Sequence, residues 1–203
     1  MTHPAVVLLA LVAGIYLARL WLQDRARDRS GQPSPQALPG ATPAPPKLVA
    51  IAIGGSAVLL AIETVGEHLL GVASQQSTMT WLAAAYSITA APIIEETMFR
   101  GWLVVEDRGR RMMWFAAIGA SVVFALLHPF LWRWDDAGFA LTLSVKGWFS
   151  AAIVFATSLW LYALRLGGWN PRRSLLPCFA GHAAKNLGVV AVKAAAGFMG
   201  GLW

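Results

Sequence analysis

Long apolar stretches dominate this sequence and restrict what it can fold into. Only 13% of its 203 residues are charged, about half of the roughly 25% typical of soluble domains. Inside a bilayer the backbone has no water to bond with, so stretches of about 20 apolar residues form helices. We therefore predict an all-α integral membrane protein with about six transmembrane helices, over residues 4–22, 47–70, 79–105, 112–128, 139–165 and 174–196.

Positive charges predict how these spans are organised. Most Lys and Arg residues follow the first, third and fifth apolar stretches, and such residues mark cytoplasmic loops. Both chain ends are therefore expected outside the cytoplasm. We expect an accessory transmembrane helix over residues 1–23, an extended, mobile, Pro-rich cytoplasmic linker over 24–46, and the functional domain over 47–203. The net charge of +6 belongs to these loops, and no aromatic-basic motif predicts nucleic-acid binding.

Ionisable residues inside the third apolar stretch carry the first functional signal. Glu95 and Glu96 precede Arg100 there, and charged side chains are costly in a bilayer, which indicates a functional role. Glu96 and Arg100 are four residues apart, so they share a helix face and favour an ion pair. Glu95 is rotated by about 100° and is available as a general base. A buried Glu–Arg pair that only joins two helices is the alternative interpretation.

Two further pairs repeat this four-residue spacing. Phe124 and His128 lie in the fourth stretch, and His182 and Asn186 lie in the sixth. Phe124 can orient the His128 ring, while His182 and Asn186 offer two hydrogen-bond donors that can stabilise an oxyanion. Alone, His128 is an interfacial histidine before Pro129, and the other pair is an interhelical clamp. Together, the pairs predict a polar catalytic cavity in the bundle of spans 3–6.

Other chemistries stay open at this point. A metal held by Glu95, His128 and His182 is chemically possible, although no HExxH motif is present. Cys178 lies four residues before His182, which also allows a thiol nucleophile or simple packing. Ser121 has no base in its own motif. A single cysteine excludes an internal disulfide, and the aspartates all lie outside the spans, which argues against an aspartyl dyad.

In this order, the three pairs resemble the CAAX prenyl endopeptidase family, also called CPBP or ABI proteins. The motifs of that family are EExxxR, FxxxH and HxxxN, and every signature position matches within about residues 79–190. The matching stretches read Glu95-Glu96-Thr97-Met98-Phe99-Arg100, Phe124-Ala125-Leu126-Leu127-His128 and His182-Ala183-Ala184-Lys185-Asn186. The resemblance implies a glutamate-type intramembrane endopeptidase, with the protease domain over residues 47–203.

The resemblance also implies a role for each motif residue. Glu95 and His128 would activate a water molecule for attack on the scissile carbonyl, and His182 and Asn186 would form the oxyanion hole. The other motif residues would support these groups: Glu96, Arg100 and Phe124. No cofactor and no metal are required in this interpretation.

The expected partners are a membrane-associated protein or peptide substrate and the lipid bilayer, without nucleic acid. A composition rich in Ala, Arg and Trp indicates the bacterial inner membrane. Bacteria generally do not prenylate CAAX tails, so the sequence does not identify the substrate. The alternatives are a non-catalytic membrane scaffold, a bacteriocin-immunity-type protein, and a metal-dependent membrane protease.

Helix geometry raises one difficulty for a shared site. Counting about 1.5 Å per residue from the cytoplasmic ends places Glu95 roughly 15 Å deep and His182 roughly 12 Å deep. The same count places His128 roughly 25 Å deep. All three must meet at one water molecule, so the packing of the helices has to close this gap.

Overall fold

The computed structural model describes residues 3–135 and 138–203, so the loop residue Asp136 lies outside the described part. Those residues are mostly helical. Four of the helices are long and apolar enough to cross a membrane, those at Pro4–Arg29, Pro46–Leu69, Gly109–Leu127 and Val145–Leu166. The helices are α1 (Pro4–Arg29), α2 (Pro46–Leu69), α3 (Trp81–Glu96), α4 (Gly109–Leu127), α5 (Val145–Leu166) and α6 (Leu176–Ala195), with a short 3₁₀ turn at Ala73–Gln75.

The fifth expected span begins later than predicted, because a β-hairpin precedes it. Strands β1 (Trp132–Asp135) and β2 (Gly138–Leu141) pair antiparallel, with Trp134 opposite Phe139. Alternating side chains favour a strand over a helix here. Helix α5 then begins after Ser144, whose hydroxyl oxygen accepts a hydrogen bond from the Gly147 N–H at 3.0 Å. The fold is therefore helical with one small sheet.

Helix α3 ends in a π-helical segment, Thr97–Trp102, and does not continue to residue 105 as expected. The wider turn is visible in the bond from the Leu103 N–H to the Met98 carbonyl at 2.9 Å, five residues back. Arg165 of α5 donates from Nε to the Arg100 carbonyl at 3.0 Å, which satisfies a backbone acceptor near the end of this segment. Such π-helical segments are rare in proteins, and those that occur often lie at functional sites.

Helix α6 lies at the centre of the packing and contacts α2, α3 and α5, while α4 packs on α5. Helix α1 packs on α3 through Gly14, where an added Cβ would lie 2.4 Å from the Ala90 Cβ. The Trp21 ring of α1 also meets the Phe179 ring of α6 edge-on at 5.0 Å. Helix α1 therefore contacts both α3 and α6, which carry two of the three polar pairs.

The Pro-rich segment between α1 and α2 is packed against the protein, unlike the mobile linker expected. The Trp21 indole donates to the Pro39 carbonyl at 3.2 Å, and Asp24 accepts from the Leu38 N–H at 2.9 Å. The Gly40 carbonyl accepts from the Leu175 N–H at 3.0 Å, just before α6. The division into an accessory helix, a linker and a protease domain stays a prediction.

The C-terminal tail secures the start of α3. The first N–H groups of a helix lack partners within the helix itself. Here the Trp81 N–H donates to the Gly201 carbonyl at 3.1 Å, and the Leu82 N–H donates to the Leu202 carbonyl at 2.9 Å. The tail therefore anchors the helix that carries Glu95 and Glu96.

Candidate active site

The last turn of α3 and the π-helical segment present the first polar pair to the interior. Glu96 Oε1 lies 3.1 Å from Arg100 Nη1, and both side chains are 0% exposed. This is the ion pair that the four-residue spacing favours. The Glu95 side chain is 26% exposed. Its Oε2 atom is buried and has no hydrogen-bond partner among the described residues. The two carboxylates therefore occupy different environments.

His182 of α6 reaches both carboxylates. Its Nδ1 atom lies 2.7 Å from Glu96 Oε1, and its Nε2 atom lies 3.8 Å from Glu95 Oε2. Glu96 Oε1 also accepts from Arg100, so it is an acceptor for His182 too and Nδ1 of His182 carries the proton of this bond. Nε2 then faces Glu95, either as a lone pair or, in the imidazolium form, as a second donor. His182 therefore lies between the two carboxylates.

His128 caps the end of α4 and is held by its own helix. Its Nδ1 atom lies 2.8 Å from the Phe124 carbonyl, and its ring centroid lies 4.8 Å from the Phe124 ring. A carbonyl only accepts hydrogen bonds, so Nδ1 carries the proton and Nε2 of the neutral ring is free to accept one. The ring also stacks on Phe130, with centroids 5.8 Å apart. His128 is therefore oriented as a proton acceptor.

Phe124 links the two histidines. Its ring lies 4.8 Å from the His128 ring and 6.5 Å from the His182 ring. Among the described residues no direct hydrogen bond joins His128 to Glu95. His128 contacts Phe124, Phe124 contacts His182, and His182 lies 3.8 Å from Glu95. The depths counted along the sequence assume that every span starts at the same plane of the membrane. The edge-on contact at 6.5 Å places Phe124 of α4 beside His182 of α6, while convergence of His128 and Glu95 on one water molecule stays a prediction.

Asn186 lies one turn after His182 but has a different partner. Its Nδ2 atom donates to the Ser87 carbonyl of α3 at 2.8 Å. An amide nitrogen carries two hydrogens, so this bond leaves a second donor on Asn186. His182 and Asn186 both bond to α3, and a shared target for the two side chains stays a prediction.

Sequence reasoning missed the groups that surround Arg100. The guanidinium carbon lies 4.6 Å from the Phe124 ring centroid and 4.9 Å from that of Tyr162. Ser158 of α5 accepts from Arg100 Nη2 at 2.5 Å through its hydroxyl oxygen. The available signal was a hydroxyl residue inside an apolar span, which neighbouring helices can use as a hydrogen-bond partner.

A second set of charges lies on α2, α5 and α6. Lys185, between His182 and Asn186 in sequence, pairs with Glu63 at 2.6 Å. Glu67 pairs with Lys146 and accepts from Gln76 Nε2 at 2.9 Å. These contacts explain Glu63 and Glu67 of α2 as members of interhelical pairs.

Candidate metal ligands and surface grooves in the described residues bear on the expected catalytic cavity. Within residues 3–135 and 138–203, no group of three or more His, Cys, Asp or Glu side chains is arranged to hold a metal ion. One surface groove of about 660 Å³ lies between α1 and α3 and includes Thr89 and Ile93. Another, of about 500 Å³, lies at the start of α4 and includes Arg110 and Trp114. Neither groove includes the three polar pairs, so a catalytic cavity stays a prediction.

Comparison with known proteins gives one match. The family described as type II CAAX prenyl endopeptidase Rce1-like matches residues 76–188, which is more than half of the chain. No curated protein matches this chain. No solved structure matches it either. The matched range contains Glu95, His128 and the other motif residues, whereas α1, the Pro-rich segment and α2 lie outside it.

Proposed function

We propose a function from the premise that this chain belongs to the type II CAAX prenyl endopeptidase Rce1-like family, which is a family of membrane proteases. The chain hydrolyses a peptide bond in a membrane-associated protein or peptide, at or within the bilayer. One observation supports this function most directly. His182 lies 2.7 Å from Glu96 and 3.8 Å from Glu95, which joins two motifs of the family in one cluster.

The hydrolytic step uses Glu95 and His128 to activate water. The Glu95 carboxylate, or Nε2 of His128, takes a proton from the water molecule as its oxygen attacks the scissile carbonyl carbon. The tetrahedral intermediate then collapses, its C–N bond breaks, and the same base returns the proton to the leaving amine. The exposed fraction of Glu95 and the bond from Nδ1 of His128 to the Phe124 carbonyl, which leaves Nε2 as the acceptor, support these roles.

His182 and Asn186 stabilise the oxyanion of the intermediate. Asn186 donates from its second amide hydrogen. Because Nδ1–H of His182 is directed to Glu96, His182 donates to the oxyanion from a protonated Nε2. Glu96, Arg100 and Phe124 hold these groups in place and do not touch the substrate. The step needs no metal or other cofactor.

The membrane arrangement is part of the proposal. Six spans cross the bilayer, with α3 and its π-helical segment forming the third and α6 the sixth. The three basic loops face the cytoplasm, and the membrane is a bacterial inner membrane. The four apolar helices support four of these six spans, those of α1, α2, α4 and α5.

The test compares two internally quenched peptides, incubated with the purified chain in lipid nanodiscs. One ends in a CAAX sequence with a prenylated cysteine, and the other has the same sequence without the lipid. We expect the wild type to cleave at least one of the two peptides, and Glu95→Ala and His128→Ala to cleave neither. Met98→Ala is the matched control, since that side chain lies exposed in the π-helical segment. Full activity in either active-site variant contradicts the mechanism.

Two further experiments separate the alternative functions. A scaffold or immunity-type protein predicts that Glu95→Gln preserves the cellular phenotype of the wild type. A metal-dependent protease predicts loss of activity with a chelator and stoichiometric metal in the purified protein.

A further inference from the structure

A line of buried hydrogen bonds extends from Arg100 to two other helices. Arg100 Nη2 lies 2.5 Å from the Ser158 hydroxyl oxygen and 3.2 Å from the Ser158 carbonyl, on α5. The Ser158 and Ser121 hydroxyl oxygens lie 2.9 Å apart, and the Ser121 hydroxyl lies 2.8 Å from the Ala117 carbonyl, on α4. Arg100, Ser121 and Ser158 are all 0% exposed. Glu96 is therefore connected through Arg100 to α5 and α4.

The chemistry of these groups determines the direction of every bond. A guanidinium only donates, so the Ser158 oxygen accepts from Arg100 and its own hydrogen points to Ser121. The Ser121 hydrogen in turn points to the Ala117 carbonyl, which only accepts. The line ends there with each hydroxyl donating once. It therefore orients Arg100 and does not conduct protons.

We propose that Ser158 is a positioning residue of the hydrolytic site. It holds Arg100, Arg100 holds Glu96, and Glu96 keeps a proton on Nδ1 of His182. The EExxxR, FxxxH and HxxxN motifs do not include Ser158. The effect on hydrolysis rests on the proposed function, whereas the effect on the His182 proton does not.

The surroundings of Arg100 explain why it needs this support. Aromatic rings enclose the guanidinium, with centroids 4.6 Å away for Phe124 and 4.9 Å away for Tyr162. Such faces attract a cation but do not fix its rotation. Arg100 Nε has no hydrogen-bond partner in the described part of the chain. Glu96 and Ser158 are therefore the hydrogen-bonding groups that set its orientation. Without the Ser158 hydroxyl, Nη2 keeps only the longer bond to the carbonyl.

The first experiment measures the His182 proton without any substrate. The full chain is labelled with ¹⁵N-histidine in nanodiscs, and its four histidines are assigned by single substitutions. We expect the wild-type signal to show a proton on Nδ1 of His182, and Ser158→Ala to show a mixture of the two tautomers. An unchanged His182 signal in Ser158→Ala overturns the proposal.

Thr157→Val is the matched control. Thr157 is the neighbouring buried hydroxyl residue of α5, and its hydroxyl bonds only within its own helix, to the Ile153 carbonyl at 2.8 Å. The substitution removes a hydroxyl without changing the size of the side chain. We expect no change in the His182 signal. If Ser158→Ala does not fold, Ser121→Ala provides the test. We then expect a smaller change of the His182 signal in the same direction. An unchanged His182 signal in Ser121→Ala counts equally against the proposal.

The second experiment uses the prenylated peptide and a double-mutant cycle. We expect Ser158→Ala to lower kcat about tenfold or more, with KM unchanged, since a hydrogen bond to a charged group is lost. In an Arg100→Gln background the same substitution should cause no further loss, because its effect passes through Arg100. If Ser158→Ala lowers kcat by the same factor in the wild type and in the Arg100→Gln background, the proposal is overturned. Full activity in Glu95→Ala instead contradicts the hydrolytic mechanism and leaves the NMR result standing.

Discussion

Glu96 and His182 share a buried hydrogen bond between α3 and α6, with 2.7 Å between Glu96 Oε1 and His182 Nδ1. The same oxygen lies 3.1 Å from Arg100 Nη1. One carboxylate oxygen therefore serves both the histidine and the arginine. Each glutamate keeps one buried oxygen without a hydrogen bond in the described structure, but the Glu95 side chain is 26% exposed whereas that of Glu96 is 0% exposed. The two glutamates are thus divided between a structural contact and a group available for chemistry.

Glu96→Gln should destabilise the protein strongly. The substitution leaves Arg100 as a buried charge without its counter-ion, and breaking a buried pair in this way costs about 3–5 kcal/mol. Thermal unfolding in detergent measures the loss. Glu106→Gln is the control, because the Glu106–Arg165 pair is 3.8 Å long and Glu106 is 40% exposed. Equal changes in stability for the two variants contradict the importance assigned to Glu96.

Asn186→Leu should reduce hydrolysis while leaving substrate binding intact. Leucine has nearly the same size but cannot donate to an oxyanion, and loss of one such donor costs about 10²–10³ in kcat. Cleavage of the prenylated peptide measures the rate. Leu187→Ala, at the exposed neighbouring position, should keep the wild-type rate. A kcat that stays within a few-fold of wild type in Asn186→Leu removes this residue from the oxyanion hole.

Gly14→Leu should separate α1 from α3 and lower both stability and activity. A Cβ at residue 14 would lie 2.4 Å from the Ala90 Cβ, and overpacking of this kind costs about 1–3 kcal/mol. At Gly119 of α4, no heavy atom lies within 4 Å of an added Cβ. Gly119→Leu should therefore behave as the wild type in thermal unfolding and peptide cleavage. If both leucine variants match the wild type, α1 is dispensable for the site, as an accessory helix would be.

Cys178 should react with a maleimide only after unfolding. Its side chain is 0% exposed, and its thiol lies 3.3 Å from the Leu161 carbonyl. The labelling rate in nanodiscs should therefore follow the unfolding transition measured independently. Arg110 is exposed at the start of α4. The double variant Cys178→Ala, Arg110→Cys should therefore react with the maleimide at once. Rapid labelling of Cys178 in the folded wild type contradicts the packing of α6.

Much of the helical architecture could be predicted from apolar stretches alone, since each reports a local property of the chain. The prediction failed where a local pattern changed. Hydropathy assigns the stretch from 139 to a span, but Phe139 pairs with Trp134 in a hairpin. The third span was extended to 105, although a π-helical segment ends at Trp102. Strand pairing and π-helical turns depend on neighbouring segments, which hydropathy does not report.

The sequence by itself determined the membrane-helical class, the family motifs and the pairs that lie within one helix, such as Glu96 with Arg100. Residues four apart meet on any α-helix, so that contact follows from helix geometry. Only the tertiary structure decided that His182 bonds to Glu96, that Ser158 holds Arg100, and that α1 contacts α3 and α6. These contacts cross between helices, and their distances depend on how the helices pack, which the spacing of residues along one chain segment does not specify.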